Sequence, residues 1–114
     1  MTREEILDTA KDCVCGQREH DYGAPEDNFQ TIANLCNAYL DKYLIADISA
    51  TDVAMMMILL KTARIKNGGG TGDSFVDIAG YAACGGEINS TYDRDHAING
   101  EPLYFVKGVG NKDD

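Results

Sequence analysis

The sequence predicts an all-α domain of four helices, and three observations predict it. Its 114 residues are enough to build one core but not two. With 44% hydrophobic and 25% charged residues, its composition is typical of globular proteins and unlike that of disordered chains. Apolar or small residues dominate four separate helix-length stretches, which turn residues divide. We therefore expect a helical domain at residues 1–90 and an irregular C-terminal arm at residues 91–114.

The charge of the chain excludes several classes of partner. Nineteen acidic and ten basic side chains give a formal charge of −9, which repels phosphate backbones and anionic lipid. No apolar run approaches the roughly 20 residues that cross a bilayer, and the acidic start lacks the features of a secretion signal. We expect a cytoplasmic protein that binds neither nucleic acid nor membrane.

The cysteines do not follow the spacing of a zinc site. Two of them form a Cys-x-Cys pair and two stand alone in apolar stretches. Free thiols in a reducing compartment are the favoured interpretation, and disulfides are the alternative. The four residues are Cys13, Cys15, Cys36 and Cys84.

The first two helices are indicated by apolar spacing and by start signals. The first covers residues 2–14, with acidic residues near its positive end. The second begins at Pro25, which suits a first helical position. Its expected buried stripe is Phe29, Ile32, Ala33, Cys36, Tyr39, Leu40 and Tyr43. Its expected solvent-facing residues are Gln30, Asn34, Asn37, Asp41 and Lys42.

The third helix is the most apolar part of the chain. Ser49 and Asp52 have the spacing of a capping box, and every residue from 53 to 60 is apolar. A helix without a polar face must be enclosed on most sides, which a small monomer does poorly, so we expect the chain to assemble as a homo-oligomer. For Met55, Met56 and Met57, core filling is favoured over a soft metal site or an adaptable binding surface.

The fourth helix follows a glycine-rich turn at residues 67–72. That turn lacks the Gly-Lys-Ser/Thr ending and the preceding strand of a phosphate loop. Asp73 is expected to cap the helix, which then runs toward Ile88 with many small residues. Beyond Ser90 the helical pattern ends, and a short apolar patch at residues 103–106 is expected to form an arm or to dock on a partner subunit.

One face of the fourth helix carries candidate chemistry. Asp73, Asp77 and Tyr81 are spaced i, i+4 and i+8, so they share this face. Asp77 lies between apolar neighbours and is expected to be partly buried, where a carboxylate needs a cation. That cation is either Lys61 or Arg64 in a structural ion pair, or a divalent metal such as Mg²⁺.

Other polar residues have both a functional and an ordinary interpretation. Lys61 and Arg64 are suited to hold a phosphate chain, or they are cations at a solvated helix end. Asn28 is a candidate reader of a base edge or a sugar, or it faces water. The loop at residues 16–25 adds further candidates, which are otherwise simply exposed: Arg18, His20 and Tyr22.

Four segments together resemble a known group of proteins: residues 18–23 (REHDYG), 27–29 (DNF), 52–65 (DVAMMMILLKTARI) and 77–82 (DIAGYA). The sequence is similar to small phage and prophage proteins of unassigned function. More distantly, it resembles nucleotide-modification-associated proteins and the all-α MazG-like nucleoside triphosphate pyrophosphohydrolases. The near resemblance covers about residues 16–88. If the chain is phage-encoded, its expected compartment is the host cytoplasm.

The distant resemblance implies a MazG-like four-helix bundle, usually dimeric or tetrameric, in which carboxylate-bound Mg²⁺ activates a water. That water splits a nucleoside triphosphate into the monophosphate and pyrophosphate. The second acidic motif of that family falls on Asp73 and Asp77, which the resemblance implies as the metal-binding and catalytic residues. Its first motif, Glu-Glu-x-x-Glu, has no counterpart, and the corresponding helix carries Lys61 and Arg64.

Three functional hypotheses follow. The first is a divergent Mg²⁺-dependent pyrophosphohydrolase, with Asp73 and Asp77 on the metal. The second is a non-catalytic binder, or sponge, of a nucleotide or nucleotide-derived signal. The third is a helical scaffold or interaction protein without a ligand. In the first two hypotheses the substrate-binding residues are Lys61, Arg64, Arg18, Tyr22, Asn28 and Tyr81.

Overall fold

The computed structural model describes residues 1–16 and 24–99, and only the backbone at residues 26 and 92–99. Within this part of the chain every regular element is helical, which confirms the all-α prediction. Arg18, His20 and Tyr22 lie outside the described residues, as does the apolar patch at residues 103–106. The four helices are α1 (Arg3–Cys15), α2 (Pro25–Leu40), α3 (Ala50–Lys66) and α4 (Gly72–Asn99), and a 3₁₀ turn (Asp41–Tyr43) follows α2.

Helix α1 begins with a capping box that fixes its first turn. The Thr2 hydroxyl accepts a hydrogen bond from the Glu5 amide at 3.1 Å, and the Glu5 carboxylate accepts one from the Thr2 amide at 2.7 Å. The two hydrogen bonds with Thr2 lower the pKa of Glu5 from its ordinary value of 4.5. The bond with the Thr2 backbone has the larger effect and the bond with the Thr2 side chain the smaller. The helix then packs on α4, where Val14 covers Gly80.

Helix α2 confirms the predicted start but only part of the predicted stripe. Pro25 occupies the first turn, and Phe29 and Ala33 are buried. Ile32 and Tyr39 are exposed, so the expected apolar stripe is wrong at these positions. Tyr43 is also exposed, because α2 ends at Leu40 and a 3₁₀ turn changes the direction of the chain.

Asn37 does not face solvent as the sequence pattern predicted. Its side-chain amide donates to the Ile48 carbonyl at 2.9 Å, and its side-chain oxygen accepts from the Ile48 amide at 2.7 Å. One side chain thereby pairs both backbone polar groups of Ile48. These groups would be costly to bury without hydrogen-bond partners. Asn37 therefore fixes the segment at residues 44–49 against α2.

Helices α3 and α4 form an antiparallel hairpin. The predicted capping box of α3 is confirmed, with Ser49 and Asp52 exchanging side-chain to backbone bonds of 2.9 and 3.1 Å. The glycine turn closes the hairpin, since Gly68 has a φ of +86°. A Cβ on Gly70 would lie 2.6 Å from the Cα of Ile65, so a side chain would not fit there.

Helix α4 differs from its prediction at both ends. It begins at Gly72, so Asp73 is a residue of the first turn rather than the cap. It continues to Asn99, past Ser90 where the sequence pattern ends. Glycine first returns at Gly100 and proline at residue 102, so no residue between Ser90 and Gly100 breaks the helix.

The core lies between α2, α3 and α4, and it covers only one side of α3. Buried residues of this core are Phe29, Ala33, Ala50, Val53 and Ala54. Met57 packs against them, so core filling is confirmed for this methionine. The opposite side of α3 is exposed at Met55, Met56, Leu59 and Leu60, as expected of a helix too apolar for a small monomer to enclose. Met55 and Met56 therefore do not fill the core of the single chain.

The state of the cysteines agrees with the free-thiol interpretation. All four cysteines are free thiols; Cys15 is exposed and the others are half-buried. In the described part of the chain, no helix combines the length and the hydropathy that crossing a bilayer requires.

Candidate functional site

The polar centre of the α3–α4 hairpin is an ion pair between Lys61 and Asp77. The Lys61 Nζ lies 2.9 Å from the Asp77 Oδ2. The Lys61 side chain is 14% exposed and that of Asp77 is 38% exposed. The expected partial burial of Asp77 is confirmed, and so is the ion-pair interpretation of its partner. A pair at this depth is screened less by salt than a surface pair.

The helical period explains why a half-buried lysine lies here. Lys61 continues the inward-facing stripe of α3, one turn after Met57 and two turns after Val53 and Ala54. Antiparallel packing then sets Lys61 opposite Asp77, in the same way as it sets Ala54 against Gly85. The four-carbon stem of the lysine fills the seam, and the ammonium meets the carboxylate.

Tyr81 extends this site toward α2. It lies one turn after Asp77 on the same side of α4, half-buried against the core. Its ring centroid is 6.0 Å from that of Phe29, with the ring planes tilted by 41°, a favourable aromatic arrangement. Asn28 precedes Phe29 in the first turn of α2 and is exposed. On consecutive turns of α4, Asp77 thus contacts α3 and Tyr81 contacts α2.

Arg64 and Asp73 lie at the closed end of the hairpin. Both are exposed, and no ion pair within the described residues includes either of them. Arg64 and Lys66 occupy the last turn of α3, where the helix dipole favours cations. With Lys61, they concentrate three of the ten basic residues of this acidic chain within six positions.

The carboxylates here differ from those of a usual metal centre. Among the residues that the structure describes, no three His, Cys, Asp or Glu side chains come together. Asp77 is already held by an ammonium, which repels a divalent cation. The arrangement therefore suits an ion pair between Asp77 and Lys61 better than a magnesium site formed by Asp73 and Asp77.

Two cavities lie away from the ion pair. The larger, of about 900 Å³, opens between the segment at residues 43–49 and helices α3 and α4. The smaller, of about 410 Å³, lies where α1, the start of α2 and α4 meet. The larger cavity was not predicted from the sequence, because one of its walls depends on the two hydrogen bonds between Asn37 and Ile48. A hydrogen bond between a side chain and a distant backbone leaves no periodic pattern in the sequence.

Comparison with known proteins identifies relatives among phages. Residues 5–89 match the domain of unknown function DUF6378. The chain is 43% identical over 99 residues to the Gene 55 protein of Mycobacterium phage D29, which covers 87% of this chain and 60% of that protein. It is 47% identical over 77 residues to the Gene 55 protein of Mycobacterium phage L5, which covers 68% of this chain and 47% of that protein.

These matches confirm the expected resemblance to small phage proteins of unassigned function. The chain spans about half the length of the curated relatives that it matches. No solved structure matches the chain.

Proposed function

We infer that this chain, which belongs to the DUF6378 family of phage proteins of unknown function, binds a nucleotide or a nucleotide-derived small molecule. The proposed site is the face where α2, α3 and α4 meet. The observation that carries the inference is the succession of the Lys61–Asp77 and Phe29–Tyr81 contacts along α4. Asp77, which holds the cation, lies one turn from Tyr81 on α4, so this face offers an ammonium for phosphate and an aromatic hydroxyl for a base.

The cations at this end of α3 are suited to a phosphate group. An ammonium has three N–H donors, and Asp77 takes one of those of Lys61. The remaining donors of Lys61 are available to phosphate oxygens, and the guanidinium of Arg64 adds a forked contact. Because the Lys61–Asp77 pair is neutral as a whole, Arg64 supplies the net positive charge that attracts the ligand.

Tyr81 and Asn28 are suited to the nucleoside part. Packing against Phe29 fixes the Tyr81 ring, so its hydroxyl and exposed edge are oriented before any ligand arrives. The side chain of Asn28 offers donors and an acceptor of the kind that reads a base edge. The same proposal keeps Arg18 and Tyr22, which lie outside the described residues, as further ligand-binding candidates.

The Lys61–Asp77 pair favours binding over hydrolysis. A carboxylate that holds an ammonium is a weaker ligand for Mg²⁺, and tight binding needs no metal-activated water. The alternative is a divergent pyrophosphohydrolase with a distant MazG-like ancestry, in which Asp73 and Asp77 hold Mg²⁺. Mg²⁺ would there neutralise the polyphosphate and activate the attacking water. The two alternatives differ in one product, because only the hydrolase releases pyrophosphate.

A thermal-shift screen tests the proposal with the full chain. Ribo- and deoxynucleoside triphosphates are added with and without Mg²⁺, and pyrophosphate is measured in the same samples. A ligand at about ten times its Kd stabilises the folded state by about 1.4 kcal/mol, which raises the Tm by about 6 °C for a domain of this size. We expect such a shift without Mg²⁺ and without pyrophosphate release.

Matched variants locate the site. Lys61→Met should lose at least nine-tenths of the ligand affinity, whereas Lys11→Met, which removes an exposed lysine of α1, should retain it. Absence of a shift with every nucleotide would refute the binding proposal. If the unmodified chain releases pyrophosphate and Asp77→Asn does not, the binding proposal is wrong and the chain is a pyrophosphohydrolase.

Self-association is a second candidate function, and a separate observation favours it. The outer side of α3 exposes Met55, Met56, Leu59 and Leu60, so two turns of the most apolar helix face water in the single chain. We propose that a homodimer or homotetramer covers Met56, Leu59 and Leu60. Light scattering after size exclusion should give a mass above 12.4 kDa. Leu59→Lys should reduce the mass to that of one chain, whereas Leu7→Lys, at an equally exposed leucine of α1, should not.

A further inference from the structure

The larger cavity forms an apolar groove on the side of α4 away from α1. Tyr43, Ile45 and Met55 lie along it, and each of these side chains is more than half exposed. Its volume of about 900 Å³ is that of a cavity for a peptide segment or a large ligand. Covering these exposed apolar side chains with another apolar group is favourable, because it removes apolar surface from water.

The walls of this groove are fixed. Asn37 holds Ile48 through two hydrogen bonds, and the capping box of Ser49 and Asp52 follows directly. The C-terminal end of the segment at residues 44–49 is therefore held against α2 and against the start of α3. The opposite wall is helix α4 itself. An occupant would thus enter a groove that already has its bound shape.

The α4 wall of the groove contains two adjacent glycines, and the packing of the single chain requires only one of them. Gly85 is needed, because a Cβ there would lie 2.9 Å from the Cβ of Ala54. Gly86 opens into space, and a Cβ at this position would have no neighbouring atom within 4 Å. A glycine inside a helix costs about 1 kcal/mol relative to alanine. Close approach of another chain segment to the backbone would account for Gly86.

We propose that the apolar patch at residues 103–106 of this same chain docks in the groove. The distance along α4 from Asn99 back to Asn89 is about 15 Å, and to Gly86 about 20 Å, at 1.5 Å per helical residue. An extended chain from Asn99 reaches about 14 Å at Leu103 and about 24 Å at Val106. The patch therefore has the length to lie beside the groove when the chain reverses after α4.

The sequence around the patch agrees with this placement. Gly100 and Pro102, which lie between Asn99 and the patch, are residues that favour a reversal of the chain. With about two residues used in that reversal, Val106 still reaches about 17 Å, past Asn89. Lys107 follows the patch directly, and the groove is lined by Asp47 and Asp52. Opposite charges at this edge would fix the direction of the docked segment.

Nuclear Overhauser effects in the full-length chain test this proposal. With ¹³C-labelled methyl groups, we expect contacts from the Phe105 ring to Ile45 and Met55. Gly86→Leu places a side chain in the groove and should abolish these contacts. Thr91→Leu adds the same side chain at an exposed position of α4 that does not line the groove, and should leave the contacts unchanged. Phe105→Ser should shift the methyl resonances of Ile45 and Met55 without unfolding the chain.

The outcomes separate docking in the same chain from docking in a second copy. In a mixture of labelled and unlabelled chains, contacts that arise within one chain give no signal between differently labelled chains. A signal between such chains would show that the occupant belongs to a second copy, which overturns the proposal. Absence of any contact from Phe105 to the groove, or contacts that persist in Gly86→Leu, would also overturn it.

Discussion

Removing the charge of Asp77 should destabilise the protein more than removing the charge of Lys61. Asp77→Asn leaves an ammonium that is 14% exposed without its counter-ion, whereas Lys61→Met leaves a carboxylate that is 38% exposed and can be hydrated. Methionine also fills the apolar seam that the lysine stem occupies. The two substitutions are therefore unequal although they break the same ion pair.

The magnitude follows from the depth of the pair. Removing one partner of a fully buried pair costs about 3–5 kcal/mol, and an exposed pair contributes about 0.2–1 kcal/mol. At the observed exposures, we expect Asp77→Asn to lower the free energy of unfolding by about 1–2 kcal/mol and Lys61→Met by less than about 1 kcal/mol. For a domain of this size, the first value corresponds to a fall of about 4–8 °C in Tm.

Urea unfolding of both variants measures these differences. Asp73→Asn is the matched control, because Asp73 lies one turn away on α4, is exposed and forms no ion pair with the described residues. It should change the free energy of unfolding by less than about 0.5 kcal/mol. Equal losses in Asp77→Asn and Lys61→Met, or a larger loss in Lys61→Met, would refute the reasoning that the buried ammonium depends on its carboxylate.

Three further predictions concern single positions. Asn37→Ala should lower the free energy of unfolding by about 1–3 kcal/mol in urea unfolding, because both backbone groups of Ile48 lose their partner, whereas exposed Asn34→Ala should have little effect. Gly68→Ala should cost about 1 kcal/mol by the same assay because of its φ of +86°, whereas Gly69→Ala, whose Cβ meets only ordinary contacts, should be nearly neutral. Glu5→Gln should lower the free energy of unfolding at pH values above the unfolded pKa of 4.5. This loss should disappear as the pH falls through the lowered folded pKa of Glu5. Urea unfolding of both proteins from about pH 6 to about pH 3 measures the difference.

Local chemistry made the helix boundaries near α3 predictable. The Ser49–Asp52 capping box and the glycine turn act within a few residues, so their residue types suffice to place them. The apolar neighbours of Asp77 predicted that its carboxylate would meet either a cation of α3 or a divalent metal, and Lys61 lies beside it. The choice of Lys61 over Arg64 depends on the register of the hairpin, which the spacing of one helix does not specify.

Long-range contacts were not predictable from the sequence. Asn37 is polar and follows the helical spacing of a solvent-facing residue, yet it binds the backbone of Ile48 eleven positions away. The exposure of Met55 and Met56 was likewise missed. Composition shows that α3 is apolar all round, but only the packing of its neighbours decides which side they cover.

The most direct test of the central claim is calorimetric titration of nucleoside triphosphates into the full chain and into Lys61→Met, side by side and without Mg²⁺. If the face formed by Lys61, Asp77 and Tyr81 binds a nucleotide, one triphosphate should bind the unmodified chain with one site per chain. Lys61→Met should then bind it at least tenfold more weakly. Equal affinity of the two proteins would contradict the account, as would the absence of binding by the unmodified chain.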